Sequence, residues 1–360
     1  MRFEIGSHFE FDNSVDVLRG SCIQWLPSQY NLQYTFSGRA AIELAIIDIK
    51  EEHNINSVYM PSYCCNTMVQ PFLDNDIKVN FYEVSFDKEN GIKYNIDTNI
   101  NCDIFFAISY FGIEQYGHDS LLKELKKKKV IILEDITHSL LNDQPNTEYS
   151  DYCIASLRKW FPVATGGFVA KQKSEFIVKP SINSNSLTHS KILAMKEKMN
   201  YLRGENIDKE SFLTSMTEFE QKLGNKDYRY EIDSFSKKIL EYIDIELIKT
   251  KRRRNFQVLY EGIKDLEFIN MLIPNFNLHN NTPLFLPLIM EGTKKRDELR
   301  TFLIKHKIYC PIHWPKAECN SSSISLSEIS LVCDQRYSET DMNYFVDLIK
   351  DWHDSVYKEY

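Results

Sequence analysis

The chain has 360 residues and a formal net charge of −8, because 51 acidic side chains outnumber 43 Lys and Arg. This acidic balance argues against a nucleic-acid scaffold. A composition of 43% hydrophobic and 13% aromatic residues indicates a globular protein, and the length allows a large domain with a smaller companion. No apolar stretch approaches the roughly 18 residues that span a bilayer. The first residues also lack the apolar region of a signal peptide, so we expect a cytoplasmic protein.

Cysteine and histidine spacing gives no sign of a metal centre. The eight cysteines include no C-x-x-C pair, and no two of the nine histidines stand four residues apart. The adjacent Cys64-Cys65 is also a poor start for a disulfide framework. We therefore predict buried or incidental thiols and no metal ligands.

The first half of the chain alternates between short apolar runs and segments of helical period, which is typical of βα units on a mostly parallel sheet. Predicted strands cover 57–60, 78–84, 103–109, 130–133, 151–156 and 167–170, and predicted helices cover 39–52 and 119–129. The four lysines at 126–129 are interpreted as a solvated helix end, since cations there complement the helix dipole.

The second half has a different pattern. A loop is predicted at 182–188, helices at 209–223, 230–263, 294–306 and 338–353, and a strand at 283–290. The basic run 251–254 is interpreted as a solvated or subunit-facing surface rather than a nucleic-acid site. The predicted organisation is a large α/β domain over 1–249 and a small α+β C-terminal domain over 250–360.

Polar residues follow several of the predicted strands, at the edge where ligands bind in open α/β sheets. The turn Ser37-Gly38-Arg39 opens a helix, and its free backbone N–H groups suit a phosphate, although an ordinary helix cap has the same residues. Asp135 and His138 follow the strand at 130–133. Asp135 can pair with a cationic ligand nitrogen or cap a helix, and His138 can reach the same cavity or lie on the surface.

Lys159 follows the strand that ends at Ser156 and lies between an arginine and an indole. This position favours a neutral amine that forms an imine, although most lysines are merely solvated. Tyr63 follows Met60-Pro61-Ser62 and offers a ring to cover a planar ligand, or alternatively a core side chain. A phosphate cradle, a carboxylate, an imine lysine and an aromatic ring together match the needs of pyridoxal 5′-phosphate (PLP).

These motifs resemble those of the DegT/StrS-like sugar aminotransferases, which are PLP enzymes of fold type I. The similarity extends over most of the chain and follows the family's order. The matching segments are Ser37 to Leu44, Met60 to Tyr63, Tyr110 to Gly112, Glu134 to Ser139, Ser156 to Pro162, Gly166-Gly167, Tyr309 to Pro315 and Asp334 to Tyr337.

The resemblance implies specific roles. Lys159 forms the internal aldimine with PLP, Asp135 pairs with the pyridine nitrogen, and His138 lies near the phenolic oxygen. Ser156 and the Ser37-Gly38-Arg39 turn hold the phosphate. The implied reaction moves an amino group from glutamate to a nucleotide-linked keto-sugar, and we expect it to serve surface-polysaccharide or secondary-metabolite synthesis. A homodimer is also implied, with the active site at the subunit boundary.

Some positions depart from the family pattern or stay open. Cys64-Cys65 stands where many relatives place a Phe or Trp, so Tyr63 is only a candidate for stacking on the ring. Arg158, His313 and Arg336 are candidates for substrate binding, and a structural salt bridge is an equal alternative for Arg336. Two other functions remain: a PLP-dependent sugar dehydratase, which the presence of Lys159 disfavours, and a fold-type-I scaffold with a regulatory or binding role.

Overall fold

A computed structural model describes residues 4–11, 26, 28–112, 118–143, 147–182, 186–223, 229–267, 269–274, 276–315 and 323–357. Its main feature is an eight-stranded sheet in the order β2-β9-β8-β7-β6-β3-β4-β5. The strands are β2 (Tyr30–Thr35), β3 (Ser57–Pro61), β4 (Lys78–Asp87), β5 (Gly91–Asn95), β6 (Ile104–Ile108), β7 (Ile131–Asp135), β8 (Tyr152–Ser156) and β9 (Gly167–Gln172).

The centre of this sheet is parallel, since β4, β3, β6, β7 and β8 pair with one another in the same direction. Only β5 and β9 run opposite to the rest. The central strand β6 is buried along its whole length, as its uniformly apolar sequence predicts. The predicted mostly parallel α/β sheet is therefore confirmed, and the carboxyl ends of its central strands share one edge.

Among the described residues, three helices alternate with the strands of this sheet along the chain, and seven more follow its last strand. They are α1 (Gly38–Glu52), α2 (Asn66–Leu73), α3 (His118–Lys127), α4 (Ser186–Leu202), α5 (Lys209–Lys222), α6 (Ser234–Tyr242), α7 (Ile245–Ile263), α8 (Gly292–Lys305), α9 (Ile324–Ser327) and α10 (Glu339–Tyr357). Within the described ranges, no helix combines the length and apolarity needed to cross a membrane. Five of the six described cysteines are buried, while Cys22 and Cys319 lie outside the described residues.

A second, smaller sheet follows in the chain. It contains β10 (Ile269–Met271), β11 (Phe285–Met290) and β13 (Glu328–Val332), all antiparallel. A separate apolar cluster packs around it, formed by side chains from Phe256 onward and joined by Ile5. Ile5 reaches this cluster because β1 (Ile5–Gly6) pairs in parallel with β12 (Ile308–Tyr309).

Several predicted elements differ from the structure. The helix predicted at 230–263 is two helices, because the chain leaves helical geometry at Ile243 and Asp244 caps α7. Part of the loop predicted at 182–188 is the start of α4, while 183–185 lie outside the described residues. Arg252, in the run expected at the surface, is 1% exposed, and its guanidinium lies 4.4 Å from the ring centre of Trp160.

Candidate active site

Neighbouring parallel strands bring the predicted catalytic residues to one edge of the large sheet. Asp135 ends β7, Ser156 ends β8, and the two strands pair side by side. A 3-10 turn at Leu157–Lys159 then carries Lys159. The Ser156 N–H donates to Oγ1 of Thr137 at 2.9 Å, which ties the two strand ends together. The register of the sheet therefore sets the distance between Asp135 and the Lys159 turn.

Asp135 is a buried carboxyl group that forms no ion pair with the residues that the structure describes. It is 2% exposed, and its Oδ1 accepts a hydrogen bond from the Thr137 N–H at 2.8 Å. Burial raises the pKa of Asp135 to about 6, against the opposing effect of the Thr137 hydrogen bonds. Across the described residues, no basic side chain forms an ion pair with it. A protonated ring nitrogen would supply the missing positive charge.

His138 is also buried, and its tautomer follows from one hydrogen bond. The Phe111 N–H donates to its Nδ1 at 3.1 Å, so Nε2 carries the proton of the neutral ring. Burial, together with His313 and Lys159, holds the pKa of His138 well below its ordinary value. Phe111 itself has φ 59°, a left-handed conformation that is unusual for a bulky residue. His138 is therefore set as a hydrogen-bond donor, as contact with a phenolic oxygen requires.

The helix turn predicted to hold a phosphate lies against Ser156. Ser37 caps α1, since its Oγ accepts from the Ala40 N–H at 3.2 Å. A Cβ atom at Gly38 would lie 2.9 Å from the Cβ of Ser156, so only glycine allows this approach. Arg39 donates from Nη1 to the Leu223 carbonyl at 2.6 Å, and its buried Nε has no partner in the described part of the chain. The turn therefore presents helix N–H groups beside a hydroxyl, which fits a phosphate.

Lys159 is exposed and lines two adjoining cavities of about 430 and 200 Å³. The larger cavity is also lined by Lys209, Arg252 and Tyr309, and its volume is within the range of small-molecule sites. The amine of Lys159 is thus accessible to ligands, as an imine-forming lysine must be. With Asp135, His138 and the α1 turn nearby, the residues present fit PLP.

Tyr63 does not offer a ring face to a ligand in this structure. Its side chain is fully buried, with the Trp314 ring 4.8 Å away edge-on and the Tyr110 ring at 5.4 Å. The structure therefore corresponds to the alternative of a core tyrosine. Its hydroxyl group is buried and has no hydrogen-bond partner among the residues described.

The three substrate-binding candidates occupy different environments. Arg158 forms an ion pair with Glu220 at 2.5 Å and lines both cavities beside Lys159. His313 is buried 5.8 Å from His138 between ring centres, and its Nδ1 lies 3.1 Å from Glu328. The structure therefore brings Arg158 and His313 to the predicted site.

Arg336 also borders the larger cavity, but its guanidinium is already engaged. It contacts both carboxylate oxygens of Asp334, at 2.9 and 2.7 Å, and Glu10 at 3.1 Å. Its remaining hydrogen bonds go to the Ser7 and His8 carbonyls. This arrangement corresponds to the structural salt bridge that the sequence left as an alternative.

The structure adds residues that sequence reasoning missed. Thr137 orients Asp135 and accepts from Ser156, and it lies inside the motif that drew attention to Asp135. Trp314 lies nearly parallel to the His138 ring, at 6.1 Å and 16°. Lys191 and Glu220 come from α4 and α5 and line the smaller cavity. No sequence motif marks these two, because their position depends on how the two helices pack.

Comparisons with known proteins agree with this architecture. No family model matches the sequence, and no curated protein matches it. Among solved structures, PseC of Helicobacter pylori, an aminotransferase of pseudoaminic acid biosynthesis, superposes with a TM-score of 0.64 at 15% identity. That match covers 90% of this chain and 87% of PseC.

Two further solved structures are similar. The putative sugar aminotransferase Spr1654 of Streptococcus pneumoniae, in its PLP form, has a TM-score of 0.63 at 14% identity and covers 98% of this chain and 100% of its own. DesI, solved with its TDP-sugar product, has a TM-score of 0.59 at 12% identity, with 90% and 80% covered. The chain therefore has the fold of the PLP-dependent fold-type-I sugar aminotransferases.

Proposed function

We propose that the protein is a PLP-dependent aminotransferase that moves an amino group from glutamate to a nucleotide-linked keto-sugar. The observation that carries this proposal is the position of Asp135. It is a buried carboxyl group, without a basic partner in the described residues, on the strand next to the one that leads into Lys159. A protonated pyridine nitrogen is the ligand group that this arrangement lacks.

Each protein group has a defined task in this reaction. When bound, PLP supplies an electron sink for the electrons released as a Cα proton leaves. Nζ of Lys159 anchors the cofactor and then moves that proton. Asp135 holds the proton on the ring nitrogen, and His138 donates from Nε2 to the phenolic oxygen. The Ser37-Gly38-Arg39 turn and Ser156 bind the phosphate, while Thr137 keeps Asp135 oriented.

A nucleotide-linked sugar is supported as acceptor by fold and cavity together. DesI was solved with a TDP-sugar, and the cavity of about 430 Å³ beside Lys159 has the basic side chains of Lys209 and Arg158 in its wall. Basic groups of this kind suit the diphosphate of such a substrate. The homodimer is part of the same proposal, and sedimentation of the purified protein tests it.

The absorption spectrum of the purified protein with added PLP tests the reaction, before and after excess glutamate. We expect a visible band from lysine-bound cofactor that bleaches when glutamate is added. Lys159→Ala should lose the band and keep the far-UV circular dichroism of the wild type. A visible band unchanged in that variant would contradict the role of Lys159.

The same spectra separate the alternatives. A band that forms but ignores glutamate points to another donor or to a reaction other than transamination. If neither a band nor PLP binding is found, the protein is a fold-type-I scaffold without this chemistry.

A further inference from the structure

The smaller cavity beside Lys159 has an unusual charge distribution. It has a volume of about 200 Å³. Its wall includes Ser156, Arg158, Lys159, Lys191 and Glu220. Three of these five side chains are cationic and only one is anionic, so the cavity has room and positive charge for an added anion.

One carboxylate is shared by two of the cations. Oε1 of Glu220 lies 2.5 Å from Nη1 of Arg158 and 3.4 Å from Nζ of Lys191. Burial alone would raise the pKa of Glu220, but Arg158 and Lys191 bring it down to about 2. Glu220 is therefore ionised, and its single charge is the only negative side-chain charge in the described wall of this cavity.

The two cations also have unused hydrogen-bonding capacity. Nε of Arg158 is buried and has no partner in the described part of the chain. Lys191 is 4% exposed, and desolvation lowers its pKa to about 8. A buried ammonium and a buried guanidinium donor are costly unless an anion completes their contacts. The site is thus built for more negative charge than Glu220 supplies.

Phosphate matches this site in charge and geometry. A phosphate dianion offers several acceptor oxygens, and a guanidinium binds such groups through two parallel hydrogen bonds. Ser156 adds a hydroxyl to the same cavity and lies against Gly38 of the α1 turn. The cavity therefore adjoins the turn predicted to bind phosphate, on the side of α4 and α5.

We propose that Arg158 and Lys191 bind a phosphate group in this cavity, and that Glu220 is the resident counterion of the two cations when phosphate is absent. The chemistry recognised is a phosphate monoester. Assigning that phosphate to PLP rests on the proposed function, whereas the site itself does not. Two sources are possible, the cofactor and a phosphorylated substrate, and the experiment distinguishes them.

The test compares Lys191→Met with Lys196→Met, an exposed lysine on the same helix that serves as the matched control. Calorimetry measures the affinity for inorganic phosphate, and absorption titrations measure the affinities for PLP and for pyridoxal, which lacks the phosphate. We expect Lys191→Met to weaken phosphate and PLP binding by about tenfold or more, because a charge-assisted hydrogen bond is lost. Pyridoxal affinity should not change, and Lys196→Met should match the wild type.

For a second variant we expect the opposite change in phosphate affinity. Glu220→Gln keeps the shape of the side chain and removes the competing negative charge, so phosphate should bind more tightly than in the wild type. A variant that merely damaged the fold would not gain affinity. If Glu220→Gln and Lys191→Met both weaken phosphate binding, or if neither changes it, the proposed site is wrong.

The pattern across ligands identifies the source of the phosphate. Weaker binding of PLP with unchanged pyridoxal supports the site and assigns it to the cofactor. Weaker binding of inorganic phosphate alone supports the site and assigns it to a phosphorylated substrate. If the wild type binds phosphate but neither PLP nor pyridoxal, the anion site stands and the proposed function fails.

Discussion

At the scale of single residues, burial divides the titratable groups of the site into two kinds. Asp135 and His138 are buried, and desolvation raises the pKa of Asp135 to about 6 and lowers the pKa of His138, whereas Lys159 is exposed to the cavities. A ligand that brings a positive charge to Asp135 and a hydrogen-bond acceptor to His138 would add the contacts that suit these two groups. The exposed amine of Lys159 can contact an incoming ligand before the ligand reaches Asp135 and His138.

Asp135 should make the cofactor-free protein less stable at neutral pH. Its pKa of about 6 lies above the 3.8 of an ordinary aspartate, so the folded state binds the extra proton between about pH 4 and pH 6. Stability contributed by this group is present below about pH 4 and is lost as the pH rises through about 6. Asp135→Asn should therefore stabilise the cofactor-free protein at pH 7.5, by up to about 3 kcal/mol.

Urea unfolding of both proteins at pH 7.5 and pH 4.5 measures this difference, which should fall to about 1 kcal/mol at the lower pH. Equal destabilisation by Asp135→Asn at both pH values would contradict this prediction.

The Asp135→Asn variant should also keep some PLP but lose most of its transamination rate, since the amide does not hold the ring nitrogen protonated. A rate equal to that of the wild type would disprove the ring-nitrogen role.

At the scale of elements, α7 supports the turn that carries Lys159. Arg252 of α7 donates to Gln335 at 2.8 Å and to the Leu284 carbonyl at 3.1 Å, and its guanidinium lies over the ring of Trp160. Trp160 follows Lys159 directly, and its indole N–H donates to the Thr137 carbonyl. Arg252 thus packs on Trp160, which links the turn after β8 to Thr137 after β7.

Arg252→Met should destabilise the protein by about 2–4 kcal/mol, because buried carbonyl groups lose their donor. Arg254→Met is the matched control, since Arg254 lies on the same helix, is 62% exposed and pairs only with Glu339 among the described residues. It should change stability by no more than about 0.5 kcal/mol. Urea denaturation of the two variants measures the contrast, and equal effects would contradict the supporting role of Arg252.

The elements that the sequence predicted well are those with a clear apolar pattern. β6 is apolar throughout, and α5 begins at Lys209 after the capping Asp208, close to the predicted 209–223. The start of α4 was predicted as loop, because residues 182–188 are rich in Ser and Asn, which are typical of turns. β5 was missed because it is a mostly polar edge strand.

Residues of the candidate site also divide into those that the apolar pattern predicts and those that it does not. Asp135, Ser156 and Lys159 could be predicted because each follows an apolar strand, and the sheet register then brings these strand ends together. Lys191 and Glu220 could not, since only the packing of α4 and α5 brings them to the cavity. The domain boundary at 249/250 stays a prediction, and the apolar cluster that begins at Phe256 supports proposing it.

At the scale of the whole molecule, residues 4–11 connect distant parts of the chain. Arg336 binds the carbonyls of Ser7 and His8 and the carboxylate of Glu10, while the Phe11 N–H donates to the Met195 carbonyl. The segment thus links the C-terminal part of the fold with α4, beside the cavities that Lys159 lines.

Arg336→Met should release this segment, because the buried carboxylates of Asp334 and Glu10 lose their ion pairs with this guanidinium. Breaking a buried ion pair in this way costs about 3–5 kcal/mol. Hydrogen exchange of residues 4–11 should accelerate, and Arg336→Lys should restore only part of the protection since it lacks the planar fork. Unchanged exchange in Arg336→Met, with a raised KM for substrate, would instead favour direct substrate binding by Arg336.

The pairing of β1 with β12 has a consequence for synthesis on the ribosome. Ile5 and its partner Ile308 are 303 residues apart, so the first strand emerges long before its partner exists. At about 5–20 residues per second, this delay is roughly 15–60 s. Throughout that time Ile5 lacks its strand partner Ile308, and the carboxylate of Glu10 lacks the guanidinium of Arg336. The nascent chain must therefore complete its large sheet, which ends at Gln172, while β1 is still unpaired.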